Sequence, residues 1–255
     1  IFNPAKNTAS VSDFGGAHKA ATQKNSLFIG EKVKLSYPTN DKMIVRIYNL
    51  SGKINISNIG REQFKKILVK KIAKENKQVD ELLDAWQDWT DQDNLKHLNG
   101  AEKEYYSKYD PPYSPRNSAL QSVNELNLIK GFREIFGEYD YSQVFTLYGT
   151  SRAEINPNIA NKQTLLLIPG IDEAIATEII TKRAQQEFTN MTEFNTLIPT
   201  EVSSKVKGWF SLSASQFYEI IVYPKKTEQE AIKDQAAKIE LYVYKEIVQS
   251  LGQNN

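Results

Sequence analysis

The stretch REQFKKILVKKIAKENKQVDELLDAWQDWT, residues 61–90, decides the fold. Phe64, Ile67, Leu68 and Ile72 recur at helical spacing. After a break at Asn76-Lys77-Gln78 the spacing resumes with Val79, Leu82, Leu83, Trp86 and Trp89. Such stripes predict two amphipathic helices. Upstream the texture differs: Lys32–Leu35 and Met43–Tyr48 are short β-like runs around a turn at Pro38-Thr39-Asn40-Asp41, and Lys53-Ile54-Asn55-Ile56 follows Gly52. Helical texture persists to about Gly208, with helices expected over Ala101–Lys108, Leu128–Phe136, Ile159–Leu167 and Glu173–Gln185. Pro111-Pro112-Tyr113-Ser114-Pro115 must be extended or turning instead. After Trp209 strands return, as the dense β-branched and aromatic run Gln216–Tyr223 and the alternation of Ile239, Leu241 and Val243 with polar or aromatic neighbours. Strands, helices, strands imply one α+β domain over 1–60 and 209–255, its antiparallel sheet interrupted by a large all-α insertion over 61–208. Two domains in series would leave each flank too few strands for a stable sheet. Residues 1–30, small and polar, read as loose.

Composition excludes several function classes. The chain has 255 residues, 32 basic against 31 acidic, for a net charge of +1. That balance argues against a protein that blankets nucleic acid or anionic lipid. No run of 18 apolar residues is present, so nothing here reads as a bilayer span. The start Ile1-Phe2-Asn3-Pro4, without Met or a signal-like apolar region, reads as trimmed or processed. Zero Cys removes disulfides, thiolate nucleophiles and Cys-zinc sites together, and two His, His18 and His97, leave little for imidazole chemistry. No Gly-x-Ser-x-Gly elbow occurs, so the chain reads as non-enzymatic.

The strongest electrostatic feature is a charge reversal between the two helices. Residues 61–78 carry seven bases against two acids, whereas residues 80–93 carry six acids and no base. Asp80, Asp84, Asp88 and Asp91 share one helical face, to be solvated or answered by Lys70, Lys71, Lys74 and Lys77. Beyond the helix, Asp91-Gln92-Asp93-Asn94 opens a loop that Gly100-Ala101-Glu102 closes. Asp91, Asp93 and Glu102 occupy positions 1, 3 and 12 of an EF-hand frame, but Leu95 and Lys96 stand at positions 5 and 6, where that loop needs a ligand and a Gly. The loop is therefore no EF-hand; it is compatible with an irregular Ca²⁺ site, against the plainer reading that Asp91 or Asp93 caps a turn. Asp88, Asn94, Asn117 and Glu125 are further oxygen donors. A second feature, Leu166-Leu167-Ile168-Pro169-Gly170-Ile171-Asp172, resembles a helix-hairpin-helix turn. Asp172 replaces its second Gly, and residues 161–190 sum to −1, the wrong sign for a nucleic-acid surface. Trp86 and Trp89 at helical spacing read as core.

In order along the chain stand Ser51-Gly52-Lys53-Ile54-Asn55-Ile56, Asp88-Trp89-Thr90-Asp91-Gln92-Asp93, Gly100-Ala101-Glu102 with Tyr105-Tyr106, and Pro111-Pro112-Tyr113-Ser114-Pro115-Arg116-Asn117. Glu125-Leu126, Lys130-Gly131, Ile155-Asn156-Pro157-Asn158, the Ile168–Asp172 turn with Arg183 and Phe188, and Ser211-Leu212-Ser213-Ala214-Ser215-Gln216-Phe217 follow. This series, over about 43–223, resembles general secretion pathway protein K, the large minor pseudopilin of bacterial type II secretion. The resemblance implies a pilin-like α+β domain with a large helical insertion, and a structural Ca²⁺ ion held by Asp91, Asp93 and Glu102, with Asn117 and Asp88 as further ligands. It implies a non-enzymatic subunit capping the pseudopilus tip beside other minor pseudopilins, with a secreted substrate or the outer-membrane secretin as further partners and no nucleic acid. It also implies a periplasmic location, with the full-length protein anchored in the inner membrane by an N-terminal helix lying outside this sequence. Two other readings of the residues stay open: a helix-hairpin-helix nucleic-acid module and a Ca²⁺-dependent filament-tip adhesin.

Overall fold

β-branched and aromatic residues pair where the sequence is densest in them. In the computed structural model, which describes residues 29–32, 43–73, 76–137, 140–149, 152–224 and 244–249, strands β1 (Ile29–Lys32), β2 (Met43–Asn49), β5 (Phe217–Pro224) and β6 (Tyr244–Gln249) form an antiparallel sheet in the order β1-β2-β5-β6. β2 and β5 pair without a bulge from Met43↔Pro224 to Asn49↔Tyr218. The chain therefore leaves the sheet after Asn49 and returns at the strand next to it. Asn49 clasps that return: its Nδ2 donates to Ser215 O at 2.9 Å, and Ser215 N donates to its Oδ1 at 3.2 Å. The strand start expected at Lys32 lies at Ile29, and Gln216–Tyr223 is displaced by one residue. Residues 1–28, the turn at 38–41 and the alternation at 239–243 lie outside the described residues.

The chain divides into two compact units, 1–50 with 215–255 and 51–214. The second is wider than the insertion read from periodicity alone, because β3 (Ile54–Asn55) pairs in parallel with β4 (Phe145–Thr146), deep in the helical stretch. Its other elements are helical: α1 (Arg61–Ile72), α2 (Lys77–Thr90), α3 (Lys103–Tyr106), α4 (Phe132–Phe136), α5 (Lys162–Leu167), α6 (Glu173–Gln185), α7 (Met191–Asn195) and α8 (Thr200–Val206). The Asn76 side chain accepts from Gln78 N and Val79 N, which starts α2 where the periodicity resumes. Three expected helices shrink, one of them Ile159–Leu167, which begins at Lys162. Ala101–Lys108 keeps only Lys103–Tyr106, and Leu128–Phe136 is split by Gly131 at φ +84 into a 3-10 turn (Val123–Leu128) and α4.

Phe64, Ile67 and Leu68 of α1 and Val79, Leu82 and Leu83 of α2 all enter one core, as their spacing requires. Phe64, fully buried, meets Trp86 edge-on at 5.0 Å and stacks on Phe132 at 5.9 Å. Trp89 is buried and Trp86 packs against the core. Truncating Phe64 to Ala removes both ring contacts and leaves a cavity, so Phe64→Ala should cost about 3–5 kcal/mol. Urea titration followed by Trp fluorescence checks this as a lowered midpoint.

Candidate metal centre

The C-terminal end of α2 gathers carboxylates where a helix carries partial negative charge, and no basic residue stands in its last turn. Asp88 is fully buried there. Its Oδ1 accepts from His97 N at 3.0 Å and lies 2.5 Å from His97 Nδ1, whereas its Oδ2 has no hydrogen-bond donor. Asp91 Oδ1, both oxygens of buried Glu102 and Asn117 Oδ1 are likewise buried without a donor. Ligand atoms of Asp88, Asp91 and His97 lie within 4.8 Å of one another. Glu102 feels the same group: burial, then the charges of Asp88, Asp91 and Asp93, push its carboxyl up to about 7. Burial followed by Asp93 and Asp88 raises Asp91, against a smaller opposing pull from His97.

Local structure holds these groups together. Asn117, at φ +50, donates its Nδ2 to Asp93 O at 2.6 Å and Asn94 Oδ1 at 2.9 Å, and its N to Trp89 O at 3.0 Å. Its amide orientation is thereby fixed with Oδ1 left over. The far end of the loop is pinned through Asp84, whose Oδ2 accepts from Asn99 N and Nδ2 at 3.1 and 3.0 Å and whose Oδ1 accepts from Arg61 Nη2 at 2.7 Å. Burial alone would raise Asp84, but the hydrogen bonds from Arg61 and Asn99 outweigh it and hold the carboxyl below the usual range. Gly100 must be glycine, because a Cβ there would stand 1.9 Å from Asp88 Oδ2 and 2.7 Å from its Cγ.

Four of the five ligands expected from the sequence, Asp88, Asp91, Glu102 and Asn117, thus present donor-free buried oxygens. Asp93 is exposed and spends its Oδ1 on Leu95 N at 2.8 Å, an Asx turn that shapes the loop. Glu125 is elsewhere engaged: Arg116 Nε at 2.5 Å, Arg116 Nη2 at 2.8 Å, Trp89 Nε1 at 3.2 Å and the N–H groups of Gln121 and Ser122 saturate its two oxygens. The lysines expected to answer the acidic face do not answer Asp84 or Asp88. Lys70 donates to backbone carbonyls, Lys77 pairs with Glu81 on its own helix, Lys71 lies over the Phe136 ring, and Lys74 lies outside the described residues. Arg61, His97 and Asn99 take that role, because burial selects the groups that reach the end of α2. Sequence spacing carried no signal for Arg61 or Asn99; His97 stood visibly within the acidic loop. The donor set of carboxylate and amide oxygens suits a hard cation, and one imidazole already turned to Asp88 makes a poor zinc set.

The hairpin is present as α5, a turn and α6, but Asp172, Lys162 and Arg183 are spent internally. Asp172 Oδ1 accepts from Ile175 N at 2.9 Å and so caps α6 itself. Lys162 pairs with Glu173, and Arg183 Nη1 donates to Pro157 O and Ala160 O, both at 2.6 Å.

Residues 46–136 match the family model described as type II secretion system (T2SS), protein K. A stretch of 51 residues is 45% identical to type II secretion system protein K of Klebsiella pneumoniae, covering 20% of this chain and 16% of that protein. A stretch of 65 residues is 38% identical to the Aeromonas hydrophila protein of the same name, covering 25% of this chain and 20% of that protein. The matched stretches therefore span a fifth or less of the length of these relatives. The fold is similar to a chain of the crystal structure of the GspK-GspI-GspJ complex from enterotoxigenic Escherichia coli, with a TM-score of 0.52 at 12% identity over 87% of this chain and 84% of that one. Among the described residues no helix is long and apolar enough to cross a membrane.

The raised carboxyl of Glu102 has a definite pH signature. Its folded value near 7 stands above the 4.5 of an ordinary Glu, so between those values the folded chain holds a proton that the unfolded chain has released. The stability this group contributes to the cation-free protein is full below about pH 4.5 and is lost as pH rises through about 7. Melts in chelator should therefore run higher at pH 5 than at pH 7.5, and Glu102→Gln should flatten the difference. Equal slopes in the two proteins would contradict the assignment.

Proposed function

We propose, from the match of residues 46–136 to the type II secretion protein K family model and the two similar relatives, that this chain is a non-enzymatic minor pseudopilin. It caps the tip of the type II secretion pseudopilus and carries a structural Ca²⁺ ion at the end of α2. The observation that carries the ion is the set of buried oxygens on Asp88, Asp91, Glu102 and Asn117 that no donor among the described residues satisfies. A buried, unpaired carboxylate costs several kcal/mol, and like charges in one nest add to that. Ca²⁺ accepts six to eight oxygens in irregular geometry, including a bidentate Glu, and tolerates backbone carbonyls and water in the remaining positions. Mg²⁺ demands a tighter octahedron and keeps its own water, so it fits two free oxygens on one Glu less well. The ion's work here is structural: it neutralises the nest and fixes residues 91–102.

The partners follow from the fold's neighbour, which is described as a complex of GspK with GspI and GspJ. We take the corresponding two minor pseudopilins as the partners of this chain, meeting it in the periplasm, with anchoring in the inner membrane through a segment outside this sequence. The tip position is supported by topology. The unit 51–214 interrupts two directly paired strands, β2 and β5, so this subunit carries a second body that an ordinary hairpin connection would not.

Ca²⁺ at about 100 times its dissociation constant should stabilise the chain by roughly 2.7 kcal/mol, a rise of about 5–10 °C in Tm for a chain of this size. Differential scanning calorimetry in chelator, Ca²⁺ and Mg²⁺ reads this directly. Asp91→Ala and Gly100→Ala should abolish the rise, while Asp80→Ala, on the exposed side of α2, should leave it intact. Mixing with the two partner pseudopilins, followed by size-exclusion chromatography, should give a ternary complex. Failure to co-elute under Ca²⁺ would sink the assembly reading while leaving the ion site standing.

A further inference from the structure

The turn between α5 and α6 brings two backbone carbonyls, those of Ile168 and Ile171, to one point. Lys70 Nζ, reaching across from α1, sits there at 2.6 and 2.5 Å. The turn is held rigid around that point. Ile171 N donates to Ile168 O at 3.1 Å, Gly170 between them has φ +88, and a Cβ at Gly170 would meet the side chains of Val202, Lys205 and Val206 on α8 at 3.2 to 3.4 Å. Two convergent carbonyl oxygens on a fixed turn are how proteins replace the hydration of a monovalent cation, since carbonyl dipoles hold such an ion without a formal negative charge. They are acceptors only, which turns away phosphate. With neutral ligands the point is a poor match for a divalent ion, which wants carboxylates.

We propose that the α5–α6 turn is a monovalent-cation socket, which this chain fills with its own Lys70 ammonium and which takes a potassium or ammonium ion once that side chain loses its amine. The charged group facing Lys70 is Asp172, and its Oδ1 is committed to capping α6, so the carbonyls hold the lysine. Burial works against the charge, drawing the Lys70 amine down to about 8, with Asp172 a smaller opposing influence. That desolvation is what a socket inside the unit requires: the ammonium gives up water and receives carbonyls in its place. The arrangement also explains why a hairpin with this turn needs no external ligand, because its acceptor cluster already docks α1 onto the α5–α6 pair.

The test is cation-specific rescue in the full chain, and it is independent of the Ca²⁺ site. Lys70→Met keeps the apolar stem and removes the ammonium; Lys66→Met, at an exposed position of the same helix, is the control. Thermal melts are taken in chelator in choline, sodium, potassium and ammonium chlorides at one ionic strength. The wild type and Lys66→Met should each melt alike in all four salts. Lys70→Met should fall by about 5 °C in choline and recover part of that loss in potassium and ammonium. A Lys70→Met loss equal in all four salts, or no loss at all, would overturn the socket, since lost packing alone carries no cation preference. Lys70→Ala, which likewise leaves both carbonyls without the side-chain donor, supplies the same comparison should Lys70→Met not fold.

Discussion

A fully buried carboxylate at the negative end of a helix, Asp88 on α2, is the constraint around which the middle of this chain is arranged. One of its oxygens is held by His97 and the other is left bare against Gly100. Apart from His97, the groups gathered around that carboxylate are themselves oxygens: Asp91, Glu102, Asn117 Oδ1. The surrounding network stabilises that crowding. Arg61, Asp84 and Asn99 fix one end of the loop and Asn117 the other, so the acids cannot drift apart to solvent. Only two things then neutralise the nest, a proton or a cation, and Glu102 is where the two compete, since burial and then its neighbours' charge already raise its carboxyl to about 7. Metal binding at such a site must release that proton, which makes cation affinity and pH linked quantities.

The rest of the unit 51–214 treats charge in the opposite way. Where cations are partly buried they meet carbonyls or a saturated carboxylate: Lys70 with Ile168 and Ile171, Arg183 with Pro157 and Ala160, Arg116 with Glu125, Lys130 with Asn99. All but the Arg116–Glu125 pair reach a backbone carbonyl and join segments far apart in sequence. A unit with this many short helices and turns cannot rely on long helical faces alone, so charged side chains supply the long-range ties. The same economy engages two of the hairpin's three bases and leaves Lys182 exposed. Lys162 and Arg183 are committed to Glu173 and to carbonyls, which leaves the helix-hairpin-helix resemblance as one of shape.

The sequence was most informative where one periodicity ran long enough to outvote local accidents. The stripes of α1 and α2, the full span of α6 and the run that became β5 were all legible, and so was the alternation of strands, helices and strands that makes an interrupted sheet. Short elements were not. Ala101–Lys108 has helical texture, yet Pro111 and Pro112 follow closely and only one turn survives. Leu128–Phe136 carries helical spacing across Gly131, whose positive φ breaks it. The parallel pairing of β3 with β4 joins two residues on each side across some ninety positions, and no local pattern encodes it. At the site, residue type pointed to Asp91, Asp93 and Glu102, with Asp88, Asn94, Asn117 and Glu125 as further oxygen donors. It could not reveal that Asp93 and Glu125 are spent elsewhere, because that depends on which donors folding brings near. Arg61 and Asn99 were invisible for the same reason.

Interrupting a paired hairpin with a large unit would ordinarily penalise the sheet, since closing a longer loop costs conformational entropy. The penalty vanishes if the inserted unit presents its own two ends side by side. Asn156 is placed to do this: its N donates to Ser51 O at 2.7 Å, at the unit's beginning, and its Nδ2 to Leu212 O at 3.0 Å, near its end. Next to it, Ile155 N donates to Trp209 O at 2.9 Å and Ile155 O accepts from Ser211 N at 3.0 Å. The unit therefore closes through its middle, at Ile155-Asn156, before the strands have to meet. In the sheet, the Asn49–Ser215 clasp performs the same closure from the other side of the boundary. With both sets of ends held together by their own unit, neither depends on the other for its closure. A chain built this way can carry a large inserted unit between two paired strands without making the sheet's register depend on how that unit folds.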